Sequence, residues 1–123
     1  MSEKSKKIIY WILTSLIAFI FIGSAMGKLI SSEETLAMAS NIGLNGQIYT
    51  ILGVLELVFV ILFVFPRTGI LGTFMLIAYM GGAIATHLEH GQSILVPCVI
   101  QAFLWVVAVY RFPELTSRIS DKA

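Results

Sequence analysis

Four apolar segments, each long enough to cross a lipid bilayer, constrain the fold of this chain more than any other feature. They cover residues 8–27, 48–65, 70–86 and 94–110. A helix over the shorter segments would be about 26 Å long, near the lower limit for the hydrocarbon core of a bilayer. Open sheets would leave backbone groups unpaired in lipid, so the segments should be helical. The sequence therefore predicts a single all-α domain over residues 1–123: an integral membrane four-helix bundle with antiparallel, up-down helices.

The composition excludes several other classes of protein. Apolar residues make up 58% of the chain and charged residues only 12%, too few to cover the surface of a water-soluble domain. The few basic residues form no patch of the kind that binds nucleic acid. Cys98 is the single cysteine, so no internal disulfide or CxxC pair can form, and a free thiol in an apolar segment usually packs as a small hydrophobe.

The distribution of basic residues predicts the orientation of the chain in the cell membrane. Seven lie on one side of the four segments, and Lys28 alone lies on the other. The seven are Lys4, Lys6, Lys7, Arg67, Arg111, Arg118 and Lys122. Lys and Arg collect in cytoplasmic loops, so both termini should be cytoplasmic. The first segment also resembles a signal peptide, but three further spans follow it and we expect it to be retained.

The connections between the segments predict how the helices are joined. Pro66-Arg67-Thr68 makes a turn tight enough for the second and third helices to be antiparallel neighbours. The longest loop, residues 28–47, contains the capping pattern Ser31-Ser32-Glu33-Glu34 and ends its polar stretch at Gly43. We therefore expect a short surface helix in this first outer loop.

Small residues recur at helical spacing in two of the segments. Gly23 and Gly27 form a GxxxG pattern in the first, and Ala78 and Gly82 repeat the small-residue spacing in the third. Such stripes let helix backbones approach closely. They fit either tight packing inside one bundle or association of the chain into a homo-oligomer.

Glu56 is the residue most informative about function, because it lies well inside the second segment. A carboxylate at that depth costs about 2.5 to 3.5 kcal/mol on insertion scales, so it should face the bundle interior and have a partner. Alternatively it could be protonated, since burial favours the neutral acid. Lys28 could point inward from the end of the first segment and neutralise it.

Other polar residues match Glu56 in depth or lie in the same outer half of the bundle. Tyr79 and Gln101 both fall about 10 Å from the outer ends of their segments, and His87 ends the third. Lys28, Glu56, Tyr79, His87 and Gln101 are therefore candidates for binding a ligand or handling protons. The alternative is purely structural, namely hydrogen bonds that fix helix packing.

A metal site at His87 and His90 is not predicted. The two histidines are three residues apart on one helix face, but Glu89 between them would point elsewhere. Solvated histidines at the end of a helix are the simpler interpretation.

The order of short motifs resembles the DoxX-like family of small four-helix membrane proteins. The motifs are Gly27-Lys28-Leu29, Gly43-Leu44, Leu52-Gly53-Val54-Leu55-Glu56-Leu57, Pro66-Arg67-Thr68, Leu71-Gly72 and Ala83-Ile84-Ala85-Thr86-His87-Leu88. The resemblance implies the four-helix fold and places Lys28, Glu56 and His87 at family motifs. It also implies a link to thiosulfate or quinol oxidation, usually as a subunit associated with a membrane oxidoreductase. Wider relatives resemble cargo receptors and assembly chaperones, so the fold alone does not decide the function.

Three functions fit these observations. The first is an accessory membrane subunit that binds a small apolar or quinone-like ligand and supports an oxidoreductase partner. The second is a quinone-using oxidoreductase in which Glu56 and His87 handle protons. The third is a small transporter or assembly factor, although four short helices are few for alternating access. The cofactor is undetermined, with a quinone as the candidate.

The predicted orientation can be tested with reporters and a single introduced cysteine. A reporter fused to either terminus should be active in the cytoplasm, because seven of the eight basic residues lie on that side. In a Cys98→Ala background, Ser32→Cys should react with an impermeant maleimide from outside. External activity of a terminal reporter would contradict the topology.

Overall fold

A computed structural model describes residues 2–30 and 32–120, and every described segment of regular structure is helical. The α-helices are α1 (Glu3–Ile30), α2 (Glu33–Asn41), α3 (Gly46–Val64), α4 (Gly69–Glu89), α5 (Leu95–Arg111) and α6 (Ser117–Ser120). Short 3-10 turns, Pro66–Thr68 and Pro113–Leu115, precede α4 and α6. Ser31 and Lys122, which entered the capping and orientation arguments, lie outside the described residues.

The four long helices correspond to the four predicted segments. The helix α1 is longer than the predicted span 8–27, because the polar residues before it continue the helix and Ser2 Oγ accepts a hydrogen bond from the Ser5 N–H (3.1 Å). By length and composition α1, α3 and the segment Pro66–Glu89 could each cross a membrane. The fourth, α5, is apolar but has 17 residues and is shorter than these.

Local capping explains where α2 and α3 begin. Asn45 Oδ1 accepts a hydrogen bond from the Ile48 N–H (2.8 Å) and starts α3. In the preceding loop, Ser32 caps α2 by accepting from the Thr35 N–H (3.2 Å). Gly43 follows α2 with a φ of 76°, a left-handed conformation that glycine adopts without steric cost. The loop between α1 and α3 therefore contains a helix, from Glu33 to Asn41.

The core is an apolar cluster between the long helices. Contacts join α1 to α3, α3 to α4, α4 to α5, and α5 back to α1. The buried cluster consists of Ile17, Phe21, Val60, Phe63, Leu76, Met80, Leu104 and Val107. Large apolar side chains such as Phe19, Phe74 and Val106 are exposed on the outside. An apolar exterior around an apolar core is what a helical membrane bundle requires, and this is a small membrane protein.

Glycines have two different roles in this packing. Gly72 lets α4 approach α3 so closely that an added Cβ would overlap the backbone of Phe63. At Gly23, Gly27 and Gly82, by contrast, an added Cβ would meet nothing within 4 Å. Tight packing inside one bundle is therefore the wrong explanation for these three glycines. They leave shallow surfaces on the exterior of α1 and α4.

This difference predicts opposite effects of two alanine substitutions in α4. Gly72→Ala should lower the free energy of unfolding by about 2 kcal/mol, in the range typical of an overpacked core, because the Cβ meets backbone that cannot rotate away. Gly81→Ala is the matched control, since nothing lies within 4 Å of its added Cβ. It should leave stability unchanged or raise it by up to about 1 kcal/mol. Thermal unfolding in detergent measures both, and equal effects would contradict the close approach.

Candidate functional site

Glu56 is the centre of a polar cluster buried between α1, α3 and α4. It lies on the face of α3 that also buries Tyr49 and Gly53. Its Oε1 is 3.0 Å from Lys28 Nζ and accepts hydrogen bonds from Ser24 Oγ (3.2 Å) and the Tyr79 hydroxyl (3.2 Å). One carboxylate oxygen therefore joins three helices.

Two features of α1 and α3 bring Lys28 to this carboxylate. Ser24 and Lys28 are four residues apart, on one face of α1, and Lys28 Nζ donates to Ser24 Oγ (2.7 Å). At Gly53 the helices are so close that an added Cβ would lie 2.9 Å from Lys28 Cβ and 3.2 Å from the Ala25 carbonyl oxygen. Because Gly53 has no side chain, the aliphatic part of the Lys28 side chain packs against α3 there, and its ammonium reaches Glu56 inside the bundle.

Aromatic rings complete the surroundings of the ammonium group. Lys28 Nζ lies 5.3 Å from the Tyr49 ring centroid and 6.0 Å from that of Tyr79. The nearer ring is within the distance at which a cation is attracted by the face of an aromatic ring. The Lys28 side chain is 13% exposed and the Glu56 side chain 2%, so the lysine is the part of the pair that a ligand can reach.

Gln101 and His87 form their hydrogen bonds with backbone carbonyls outside this cluster. Gln101 Nε2 donates to the Ile77 carbonyl (3.2 Å), and its buried Oε1 has no hydrogen-bond partner among the described residues. His87 Nδ1 lies 2.7 Å from the Ala83 carbonyl on its own helix, and His90 Nδ1 lies 3.0 Å from that of Thr86. Within residues 2–30 and 32–120, no group of three or more His, Cys, Asp or Glu side chains is close enough to hold a metal ion.

Comparison with known proteins decides the family. A model of the DoxX-like family matches residues 12–109, which is most of the chain. The chain belongs to the DoxX-like family. No significant match was found among the curated proteins or the solved structures. The matched range contains Lys28, Glu56 and Tyr79, so the polar cluster lies wholly inside the region shared with this family.

A second polar cluster of this DoxX-like protein was missed by sequence reasoning. Arg111, at the end of α5, is 5% exposed and donates to the carbonyls of Phe63 (2.7 Å) and Val64 (3.3 Å) and to the Tyr10 hydroxyl (3.2 Å). Its guanidinium also lies 4.4 to 4.9 Å from the centroids of three rings, those of Phe63, Phe112 and Tyr10. In the sequence Arg111 contributes only to the predicted orientation, because an arginine at the end of a span carries no signal that it is buried.

The ion pair predicts that removing its negative charge alone is damaging. Glu56→Gln preserves the shape and an acceptor oxygen but leaves the Lys28 ammonium without its counter-charge. We expect a loss of about 3 kcal/mol in the free energy of unfolding, the lower end of the range for breaking a buried pair, because Lys28 keeps some exposure. Thermal unfolding of the reconstituted protein measures the loss.

The double variant provides the control for this experiment. Lys28→Met in the Glu56→Gln chain removes the stranded cation and should recover part of the lost stability, since the two residues form one pair. Arg67→Met, which removes an exposed positive charge from the turn after α3, should change nothing. If Glu56→Gln does not change the free energy of unfolding, and the effects in the double variant are fully additive, Glu56 acts only as a hydrogen-bonding group and the ion pair is contradicted.

Proposed function

We propose that this DoxX-like protein is an accessory subunit of a membrane oxidoreductase, and that it binds a small quinone-like ligand at Lys28. The observation that carries the proposal is the partly accessible side chain of Lys28, whose ammonium is held between Glu56 and the Tyr49 ring. A charged donor in an apolar bundle is costly, and intramembrane ionisable residues commonly mark sites of binding or proton transfer.

The chemistry around Lys28 suits a ligand with a polar head and an apolar tail. A quinone carbonyl oxygen accepts hydrogen bonds, and Lys28 is a charged donor whose side chain is partly accessible. The neighbouring ends of α1 and α3 expose the apolar side chains of Met26, Ile30 and Ile48. A ligand tail could lie along them within the lipid phase.

An accessory role fits better than catalysis by this chain alone. Reduction or oxidation of a quinone needs a group that gives or takes electrons, and the single cysteine, Cys98, cannot act as a dithiol. Among the residues around Glu56, Ser24, Lys28, Tyr49 and Tyr79 can bind and orient a ligand or hold a proton. The electrons would come from the partner.

The proposed arrangement in the cell membrane follows from the charge distribution. Four antiparallel, up-down spans would place both termini in the cytoplasm and α2 on the outer surface, with the Lys28 site in the outer half of the bundle. The shorter α5 would cross with little tilt.

We also propose that the exposed small residues serve association between copies of the chain. Gly23 and Gly27 on α1, or Ala78 and Gly82 on α4, would let a helix from a second bundle approach closely. Support comes from the open space at the three glycines, where an added Cβ would touch nothing. A homo-oligomer of this kind would leave Lys28 of each copy in its own bundle.

Photolabelling tests the proposed ligand site directly. A photoreactive short-chain quinone, added to the protein in lipid nanodiscs, should label the neighbouring ends of α1 and α3, and excess unmodified quinone should prevent the labelling. Lys28→Met should reduce labelling about tenfold, the effect of losing one hydrogen bond to a charged group. Mass spectrometry locates and quantifies the label.

Arg67→Met is the matched control, because it also replaces a cation with methionine, at an exposed position in the turn after α3. It should leave labelling intact. Labelling that does not saturate, or that falls equally in both variants, would contradict the proposed binding site.

The accessory role would be contradicted if complexes purified gently from native membranes contain no flavin, haem or iron–sulfur absorbance.

A further inference from the structure

A groove lies at the end of the bundle opposite to the Lys28 site, between the start of α1 and the turns that follow α3 and α5. It has a volume of about 740 Å³. The residues that line it are Glu3, Lys6, Lys7, Tyr10, Trp11, Pro66, Tyr110 and Pro113. Tyr10 is 18 residues before Lys28 on α1, a distance of about 27 Å along the helix, so the groove is separate from the Glu56 cluster.

The groove continues onto an apolar face of α1. A second depression, of about 610 Å³, shares Lys7 and Trp11 with it. Ile8, Ile12 and Leu16 line this depression at intervals of four residues, and all three are exposed. A polar opening therefore leads into an apolar stripe along the helix.

The charge lining the groove is predominantly positive. Glu3 is the acidic residue that lines it, and its Oε1 lies 3.7 Å from Lys6 Nζ, with both side chains mostly exposed. Such a pair is weak and readily exchanged for another anion. Lys7 forms no salt bridge within the described part of the chain. An anion in the groove could therefore pair with Lys7 directly, and with Lys6 in place of Glu3.

Arg111 adds a buried positive charge directly behind Tyr10. It has no carboxylate partner among residues 2–30 and 32–120, and its buried Nε has no hydrogen-bond partner there. The guanidinium donates to the Tyr10 hydroxyl oxygen, which leaves the proton of that hydroxyl available for an acceptor. Tyr10 lines the groove, so its hydroxyl can donate to an anion there while the arginine polarises it.

We infer that this groove binds an anionic phospholipid. Lys6, Lys7 and the Tyr10 hydroxyl contact the phosphate, and an acyl chain lies over Trp11 and along the apolar stripe of α1. The positive charge selects an anionic headgroup over a zwitterionic one, as basic clusters at membrane surfaces do. The continuous apolar stripe identifies a lipid, because a free phosphate would make no use of it.

Quenching of Trp11 by brominated lipids tests this inference. In a Trp105→Phe background Trp11 is the single tryptophan. At equal mole fraction in phosphatidylcholine bilayers, brominated phosphatidylglycerol should occupy the site beside Trp11 about fivefold or more in preference to brominated phosphatidylcholine. The double variant Lys6→Gln, Lys7→Gln should abolish the preference, and Tyr10→Phe should reduce it.

Arg118→Gln is the matched control, because it removes one exposed positive charge near the end of the chain and does not line the groove. It should keep the preference. Equal quenching by the two lipids in the parent chain, or an equal loss in Arg118→Gln and the double lysine variant, would overturn the inference. Displacement of the lipid by soluble glycerol phosphate would also overturn it, since the site would then take free phosphate.

Discussion

The ion pair between Lys28 and Glu56 is the interaction on which the arrangement of the helices depends. An unpaired carboxylate at this depth in a membrane is expensive, and Glu56 is almost fully buried. Its partner is supplied by the last turn of α1, which must therefore lie against the middle of α3. The absence of a side chain at Gly53 permits that approach. Ser24, also on α1, and Tyr79, on α4, donate to the same oxygen, so α4 joins the contact as well.

The opposite end of the bundle satisfies a buried charge by different means. Arg111 has no acidic partner in the described chain and instead donates to the last carbonyls of α3, which carry the partial negative charge of a helix C-terminus. The Phe63 and Phe112 rings cover its guanidinium. A neutral pair at one end and an uncompensated cation at the other give the two ends different chemistry. The first suits a neutral quinone-like head, and the second an anionic headgroup.

Part of this structure could be predicted from the sequence, because lipid restricts the backbone to helices and penalises unpaired charge. Those two constraints were enough to predict the long helices and to direct attention to Glu56, Lys28 and Tyr79. Depth along the helix did not predict the partner of Gln101. Its side chain donates to the Ile77 carbonyl on α4 and does not bind Glu56. Its direction depends on the rotation of α5, which is determined by packing. The burial of Arg111 was likewise unpredictable, because it depends on where the carbonyls of α3 end.

The central claim, that an ionised Glu56 is held against Lys28 inside the bundle, can be measured in bilayers by solid-state NMR. With ¹⁵N on lysine side chains and ¹³C on glutamate carboxyl groups, the dipolar coupling between Lys28 Nζ and Glu56 Cδ reports their separation. The structure, with Nζ 3.0 Å from Oε1, predicts a measurable coupling and a carboxylate chemical shift that disappears in Glu56→Gln. No coupling, together with the shift of a protonated carboxylic acid, would contradict the account.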